Sequence, residues 1–259
     1  SQPILRRPRS FVGDFDAQPR YELWARFRGP DGEPFLARRS DEDRWERVPG
    51  APQAVFAHLN RDLRGNYYAT TETGELYFSV DGDLWHAVPD LGVGGKVRFG
   101  LTDWHGFVWF AVDHSESRGG VARFDPESLR WEQLKPSLAP FEGVRIDKPV
   151  RSLLEARDGA IWAASESAVY SFSTDGRVDT HRGHGEAEFT KVTGLVEDGD
   201  RILISSQSFA GVYFYDGRRW WRDNDLPNES IRRIVKDRGG RLWFLPARAG
   251  PDGQHRVFR

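Results

Sequence analysis

Cysteine and methionine are both absent from this chain of 259 residues. Without thiols it cannot form disulfides, thiolate metal sites or a cysteine nucleophile. The absence of methionine extends to position 1, which predicts a processed product or a segment of a longer polypeptide. The sequence shows no signal-peptide pattern of a basic start, an apolar run and a small-residue cleavage site. The compartment stays open between cytoplasm and periplasm.

Long apolar runs and an excess of one charge are also missing. No stretch approaches the roughly 18 apolar residues that a membrane span needs, and the formal net charge is -2. We therefore expect neither a membrane nor a nucleic acid as partner. Aromatic residues, by contrast, make up 13% of the chain and include ten tryptophans, which supply large apolar surfaces for a core.

One turn signature recurs at intervals of roughly forty residues, the period of repeat architectures. It reads Asp-x-x-Gly-x-x-aromatic, and a looser copy ends at Trp24. The interval is longest between the copies that end at Trp109 and Trp162. The copies are Asp62…Gly65…Tyr68, Asp103…Gly106…Trp109 and Asp237…Gly240…Trp243, with degraded versions at Ala156…Gly159…Trp162 and Asp198…Arg201…Ile204.

The copy that begins at Val150 predicts four short strands, at 150–154, 160–165, 168–173 and 177–182. Asp175 and Gly176 predict a two-residue hairpin turn in which both residues have positive φ. Tight turns between all four strands indicate one antiparallel sheet, and the same order recurs along the chain.

Four-stranded sheets that repeat at this period are typical of β-propeller blades. We predict an all-β fold, a single propeller domain over 1–259 with six blades, or five if the loose first copy is not a blade. The last repeat has only three strands, so we expect residues 3–7 to pair with it and close the ring. The predicted blades cover approximately 10–50, 51–92, 95–134, 148–187, 190–225, and 229–259 with 3–7.

Nine of the ten tryptophans fall on the second or fourth strand of a predicted blade, which indicates core packing. Trp104 is the exception, because it lies in the turn of the Asp103 copy. It could cover a blade edge, stack on a sugar or fill a pocket of a partner.

Three segments carry a family resemblance: Val150–Trp162, Ile231–Trp243 and Gly211–Asp216. Their order of apolar strand, Asp-x-x-Gly turn and aliphatic-Trp strand resembles the bacterial two-component-regulator propeller repeat. The chain lacks the Gly-Thr that usually follows the Trp strand and is therefore a divergent example. The resemblance implies a propeller fold and a sensor role, commonly in the periplasm.

The irregular lengths fall on one face of the predicted propeller, the entry face, where strands two and three are joined and each blade leads to the next. We expect long loops there at Asp113–Gly120, Lys135–Pro149 and Ala247–Gln254. Long loops on a rigid scaffold are the usual carriers of binding residues.

Basic residues are predicted to gather at the channel mouth on this face, where each first strand begins. A ring of like charge would be satisfied by a small anionic ligand or by an acidic side chain of a protein partner. Alternatively, the cations pair internally with Glu155, Glu197, Glu229 and Asp147. The candidate binding residues are Lys96, Arg98, Arg145, Lys148, Arg151, Lys191, Arg232 and His114, with Thr193 in the same frame.

Catalytic patterns are scarce, and we expect no catalytic residues, metal or cofactor. The chain has neither a Gly-x-Ser-x-Gly elbow nor a phosphate loop, and a cationic mouth suits Ca²⁺ poorly. The pair His181 and His184 is a weak metal motif. Two enzyme alternatives stay open. One is a lyase that binds a carboxylated substrate through arginines and moves a proton with His58 or His114. The other is a metal-dependent hydrolase of the lactonase-like propeller type.

The sequence therefore favours a non-catalytic binding or sensor propeller that recognises a protein partner or a small anion on the entry face. A glycan-binding module centred on Trp104 is the remaining alternative.

Overall fold

The computed structural model describes strands and turns, with no helix in the described ranges and hence none there that could cross a membrane. Five sheets have four antiparallel strands each, arranged in chain order. The described residues are 10–11, 24–39, 44–88, 95–115, 118–126, 130–134, 146, 148–184, 187–207, 211–222, 230–237 and 239–248.

The first three sheets follow one another along the chain. Sheet 1 consists of β1 (Ser10–Phe11), β2 (Trp24–Arg28), β3 (Pro34–Arg39) and β4 (Trp45–Arg47). Sheet 2 consists of β5 (Phe56–Arg61), β6 (Tyr67–Thr71), β7 (Leu76–Ser79) and β8 (His86–Ala87). Sheet 3 consists of β9 (Lys96–Thr102), β10 (Val108–Ser115), β11 (Arg118–Asp125) and β12 (Arg130–Leu134).

The remaining sheets complete the repeat. Sheet 4 consists of β13 (Val150–Glu155), β14 (Ile161–Ser165), β15 (Val169–Phe172) and β16 (Val178–His181), followed by the short hairpin β17 (Gly183–His184) and β18 (Ala187–Glu188). Sheet 5 consists of β19 (Val192–Asp198), β20 (Arg201–Ser206), β21 (Val212–Tyr215) and β22 (Trp220–Arg222). Sheet 6 has two described strands, β23 (Ile231–Lys236) and β24 (Leu242–Pro246).

These sheets confirm the predicted all-β class and the four-stranded unit, and the four strands predicted after Val150 are present. Six blades and the closing role of residues 3–7 stay predictions. The proposed closing segment and its partner strand at 255–259 both lie outside the described residues.

The chain divides into two compact units, 1–112 with 122–132 and 113–121 with 133–259. In each unit, successive sheets pack face to face through aromatic and aliphatic side chains, so the second strands β6 and β14 are buried along their whole length. In the first unit Trp24 of sheet 1 meets Trp85 of sheet 2 at 6.3 Å between ring centroids. In the second unit Trp162 of sheet 4 meets Trp220 of sheet 5 at 6.4 Å. Such contacts are typical of blades, which cover both faces of each sheet.

The Asp of the repeated signature holds the turn between the first and second strands. In sheet 3, Asp103 is buried and its Oδ1 accepts the backbone N–H groups of His105 and Phe107. Its Oδ2 accepts the indole Nε1–H of Trp109 at 2.7 Å. Gly106 has a φ of 89°, which a residue with a side chain rarely adopts. The signature therefore joins turn and core through one carboxylate.

The degraded copy at Ala156 shows what the carboxylate supplies. Its turn has the same backbone hydrogen bonds, from Ala156 N–H to Ala160 O and from Gly159 N–H to Ala156 O. The indole Nε1 of Trp162, however, is buried without a hydrogen-bond partner. A methyl group at position 156 closes the turn and leaves that donor unsatisfied, which is costly for a buried polar group.

Two local predictions are wrong. At the Asp175–Gly176 turn only Gly176 has positive φ, because the loop closes through Ser173 and Arg177 as a three-residue hairpin with a glycine bulge. The predicted loop Asp113–Gly120 is mostly strand, since β10 and β11 extend until only 116–117 separate them. Gly119 permits this extension, because a Cβ there would lie 2.5 Å from the carbonyl oxygen of Lys148.

The Asp103→Ala variant tests the role of the turn carboxylate. It removes three hydrogen bonds and leaves the buried Trp109 indole unsatisfied, so we expect a loss of about 2–3 kcal/mol of unfolding free energy. Chemical denaturation measures it. The matched control Asp158→Ala removes an exposed turn carboxylate that accepts one backbone N–H, from Ala160, and should cost less than about 1 kcal/mol. Equal losses in the two variants would contradict this role.

Acid stability should depend on two further turn carboxylates. The Trp243 indole and the Arg241 N–H hold the pKa of Asp237 at about 2, and the backbone N–H of Arg219 and the Trp221 indole do the same for Asp216. Because both pKa values lie below the ordinary 3.8, the carboxylates stabilise the folded state above about pH 4 and lose this effect as the pH falls toward 2.

Urea unfolding between pH 2 and 5 measures this dependence. The double variant Asp216→Asn/Asp237→Asn should show a flatter pH profile, whereas the exposed control Asp200→Asn should follow the wild type. An unchanged slope in the double variant would exclude this contribution.

Candidate functional site

The first strands of successive sheets lie side by side, and polar side chains join them. In the second unit β13, β19 and β23 are neighbours in that order. Thr193 Oγ1 donates to the carbonyl oxygen of Ile231 at 3.0 Å, and Leu195 N–H donates to Ser152 Oγ at 3.2 Å. These bonds align the beginnings of the three strands with one another.

The first unit has the same arrangement between β5 and β9. Asn60 Nδ2 donates to Thr102 Oγ1 at 2.8 Å. His58 Nε2 lies 3.1 Å from the carbonyl oxygen of Gly100, and because a carbonyl only accepts, Nε2 carries the proton. His58 thus bridges two strands and also lies edge-on to Phe99.

A β-bulge recurs at the second residue of these strands. In β13 the register skips Arg151, in β19 it skips Thr193 and in β23 it skips Arg232. In β5 it skips Ala57. A bulge leaves one residue outside the hydrogen-bonded ladder and re-aims its side chain, and it is frequent beside functional sites. Three equivalent side chains of the second unit are therefore presented together.

Basic charge collects at these bulges in the second unit. The side chains of Arg151, Arg232 and Lys191 are exposed and that of Lys148 is half-buried. Lys191, which directly precedes β19, has a φ of 51° and is the single non-glycine residue with positive φ within the described ranges. A left-handed conformation strains a lysine, and such strain is concentrated at functional sites.

One acid faces this group. Glu166, in the turn after β14, forms an ion pair with Arg151. The equivalent positions after β20 and β24 hold Gln207 and Ala247, which carry no charge. Among the interactions of the described residues Arg232 forms no ion pair or hydrogen bond through its side chain. Among the described residues of the site the cations therefore outnumber the acids, and Arg232 and Lys191 are exposed.

The corresponding cations of the first unit are held more closely. Arg98 Nη1 donates to the carbonyl oxygen of Glu72 at 3.4 Å, and the Glu72 carboxylate itself pairs with Arg26. Lys96 packs against Gly74, where a Cβ would lie 2.3 Å from the Cβ of Lys96. The Arg98 guanidinium therefore has a backbone acceptor, and the neighbouring Glu72 carboxylate is engaged by Arg26.

The structure thus brings together Lys148, Arg151, Lys191 and Arg232 in one unit, and Lys96 with Arg98 in the other. Arg145 lies outside the described residues. His114 is a residue of β10 rather than of the expected loop, and its side chain is not described.

The acids that were predicted to pair with the basic residues of the site are not those that the structure places beside Arg151. Arg151 pairs with Glu166, which was not among them. Glu197 accepts the backbone N–H of Arg157 at 3.0 Å, at the other end of β19 from the bulge. Glu229 and Asp147 lie outside the described residues. Internal pairing is therefore real for one arginine of the second unit, with a different acid.

The surroundings of His181 bear on the metal motif that it forms with His184. No cluster of three or more His, Asp or Glu side chains capable of holding a metal ion occurs in the described part of the chain. His181 stacks on Trp162 at 5.5 Å, and burial lowers the pKa of its imidazole, with the Asp179 carboxylate opposing the shift. This environment suits a neutral core histidine better than a ligand.

The bulges and Glu166 were missed from the sequence. A bulge adds one residue to one strand, and its signal would be a difference in residue count between paired strands, which strand boundaries read from sequence do not resolve. Glu166 directly follows the second strand of its sheet, where sheet 2 has Glu72 and sheet 5 has Gln207, and this position lies outside the repeated turn signature.

Solved structures share this fold at low sequence identity. The extracellular domain of a putative one-component system from B. thetaiotaomicron matches with a TM-score of 0.61 and 19% identity over 92% of this chain. Virginiamycin B lyase from Staphylococcus aureus matches with a TM-score of 0.65 and 12% identity over 96% of this chain and 83% of that one. A putative gluconolactonase matches with a TM-score of 0.53 and 14% identity, over 86% of this chain and 79% of that one.

These neighbours are propeller-type proteins, and they establish a propeller-like fold for the chain, divergent in sequence from the extracellular domain of the putative one-component system. This chain spans 31% of the length of that extracellular domain. No protein family model and no curated protein sequence matches the chain.

The Lys191→Gly variant tests whether the strained backbone at the site is kept at a cost to stability. Glycine adopts positive φ freely, so we expect the unfolding free energy to stay within about 0.5 kcal/mol of wild type or to rise by up to about 1 kcal/mol. Lys96→Gly, which removes a lysine without positive φ, should lower it by about 0.5–1 kcal/mol. A clear destabilisation by Lys191→Gly would show that the side chain itself holds the fold.

Proposed function

We propose that the chain is a non-catalytic binding module, a six-bladed propeller closed by residues 3–7, that recognises an anionic group at the basic site of the second unit. The observation that carries the proposal is the recurrence of one bulge on three neighbouring first strands, with exposed arginine at two of them. Because the β-bulge recurs at the same point of each first strand, it presents equivalent side chains at the strand ends without altering the core.

The chemistry of the site favours a carboxylate or phosphate. Arginine offers a planar fork of donors that matches both groups, and such charge-assisted bonds are stronger than neutral ones. Thr193 adds a hydroxyl, although its proton is engaged with the Ile231 carbonyl. The hydroxyl oxygen stays able to accept, which suits a ligand that also carries a donor.

The ligand would displace an existing contact. Arg151 already pairs with Glu166, and an exposed pair of this type contributes little stability. An incoming anion could therefore take Arg151 from Glu166 at low cost, and Glu166 would act as an internal competitor. An acidic side chain of a protein partner and a small dicarboxylate present the same group to the site.

The comparisons support a binding role in general terms. One neighbour is the extracellular domain of a putative one-component system, for which recognition of a signal is the natural task. Others are named as a lyase and a putative gluconolactonase, so the same scaffold also carries enzymes. For a lyase of this chain, His58 or His114 would move the proton. The Nε2–H of His58 donates to a strand carbonyl, which leaves His114 as the candidate for this role.

Titration of the purified chain with citrate and with pyrophosphate, followed by calorimetry at low ionic strength, tests the proposal. We expect saturable binding that weakens as salt is added. Arg232→Glu should weaken binding at least about tenfold, because it replaces an unpaired cation with a repelling charge. Glu166→Gln should strengthen binding severalfold by releasing Arg151.

The matched control is Arg218→Glu, which makes the same charge change at an exposed turn residue of sheet 5. Equal weakening by Arg232→Glu and Arg218→Glu would reduce the effect to net charge and refute the site. A screen of wild type against esters, lactones and carboxylated substrates accompanies the titration, and turnover that Arg232→Glu abolishes would favour the lyase.

A further inference from the structure

A second surface with different chemistry lies in the first unit, at the end of the sheets that carries the Asp turns. Leu63 and Trp104 occupy equivalent positions, each directly after the first residue of the repeated signature. Both side chains are exposed, Leu63 to 61% and Trp104 to 55%. In sheet 4 of the second unit the equivalent residue is Arg157, which pairs with Glu197.

The two turns are neighbours. Asn60 Nδ2 donates to Thr102 Oγ1 at 2.8 Å, and Thr102 Oγ1 donates to the carbonyl oxygen of Arg61 at 3.1 Å. These bonds join the ends of β5 and β9 one or two residues before the turns begin. Leu63 and Trp104 therefore lie in adjacent turns of one surface, and exposed apolar surface of this kind marks interaction sites.

The exposed ionisable side chains of these two turns are basic. Arg61, Arg64 and His105 are exposed in the same two turns. The acids of the turns, Asp62 and Asp103, are buried and accept bonds from backbone N–H groups and from Tyr68 and Trp109. Their carboxylates are thus turned inward, and the surface presents an apolar centre with a basic margin.

We propose that this surface, formed by Leu63 and Trp104 with Arg61, Arg64 and His105, docks an acidic protein segment that carries an apolar side chain. The apolar residue would pack on Trp104 and Leu63, since tryptophan is a frequent energetic centre of interfaces. Flanking carboxylates would meet the arginines, which is the charge complementarity that fixes the register of a bound segment. This surface is independent of the anion site of the second unit.

Selection of a random displayed peptide library on the full chain, with counter-selection on Trp104→Ala, tests the proposal. We expect the enriched peptides to hold Asp or Glu on both sides of an aromatic or aliphatic residue. A synthetic labelled copy of the most enriched peptide, measured by fluorescence polarisation, should lose at least about tenfold in affinity with Trp104→Ala. Arg64→Glu should weaken binding and reduce its salt dependence.

Val235→Ser is the matched control, because Val235 is an exposed apolar residue of the second unit, at 41%. It should leave peptide affinity unchanged. Enrichment of basic or uncharged peptides, or equal affinity of wild type and Trp104→Ala, would overturn the proposal. So would a glycan array signal that Trp104→Ala abolishes, which indicates a sugar site, or dimerisation of the wild type that the same variant removes.

Because Trp104 is exposed, Trp104→Ala should unfold at the wild-type temperature. If Trp104→Ala unfolds at a lower temperature than the wild type, the affinity of Arg64→Glu alone decides the proposal. Arg64 is an exposed turn residue, so its substitution should leave the fold intact.

Discussion

A four-stranded sheet with apolar side chains on both faces cannot fold alone, and this constraint governs the molecule. The second strands of sheets 2 and 4 are buried along their whole length, so these sheets require a covering layer on both faces. The neighbours meet through aromatic rings, as at Trp24 with Trp85 and at Trp162 with Trp220. Everything at the strand ends, including turns, bulges and charges, is placed by that face-to-face packing. Residues at the strand ends can therefore be substituted with little effect on packing, and binding residues are commonly found there.

Much of the strand and turn arrangement could be predicted from the sequence because the same structural unit repeats along the chain. The signature at Asp103 and Trp109 predicted turn and core, and the structure adds that the two side chains bond to each other. The strands after Val150 were also predicted, since tight turns separate them. The full length of the hairpin from Val108 to Asp125 was not predicted, and neither was the close approach of its Gly119 to Lys148, a contact remote in sequence.

The sequence predicted which basic residues belong to the candidate site, but not the backbone geometry and the ion pair that hold them. A common frame identified Arg151 and Arg232 as equivalent, and the shared bulge explains that equivalence. The pairing of Arg151 with Glu166 depends on which turn lies beside which strand, information that a repeat period does not contain. The strain at Lys191 is likewise a property of the backbone, and lysine gives no sign of it in the sequence.

The bulges have an evolutionary consequence. The residue that a bulge leaves outside the ladder has no directly opposed residue on the paired strand, so the register does not fix its identity. In this chain the position holds three residue types that differ in size, polarity and charge, in Ala57, Arg151, Thr193 and Arg232. Substitution there changes what the scaffold recognises while each sheet keeps its hydrogen bonds. A propeller built this way can acquire new specificities one blade at a time.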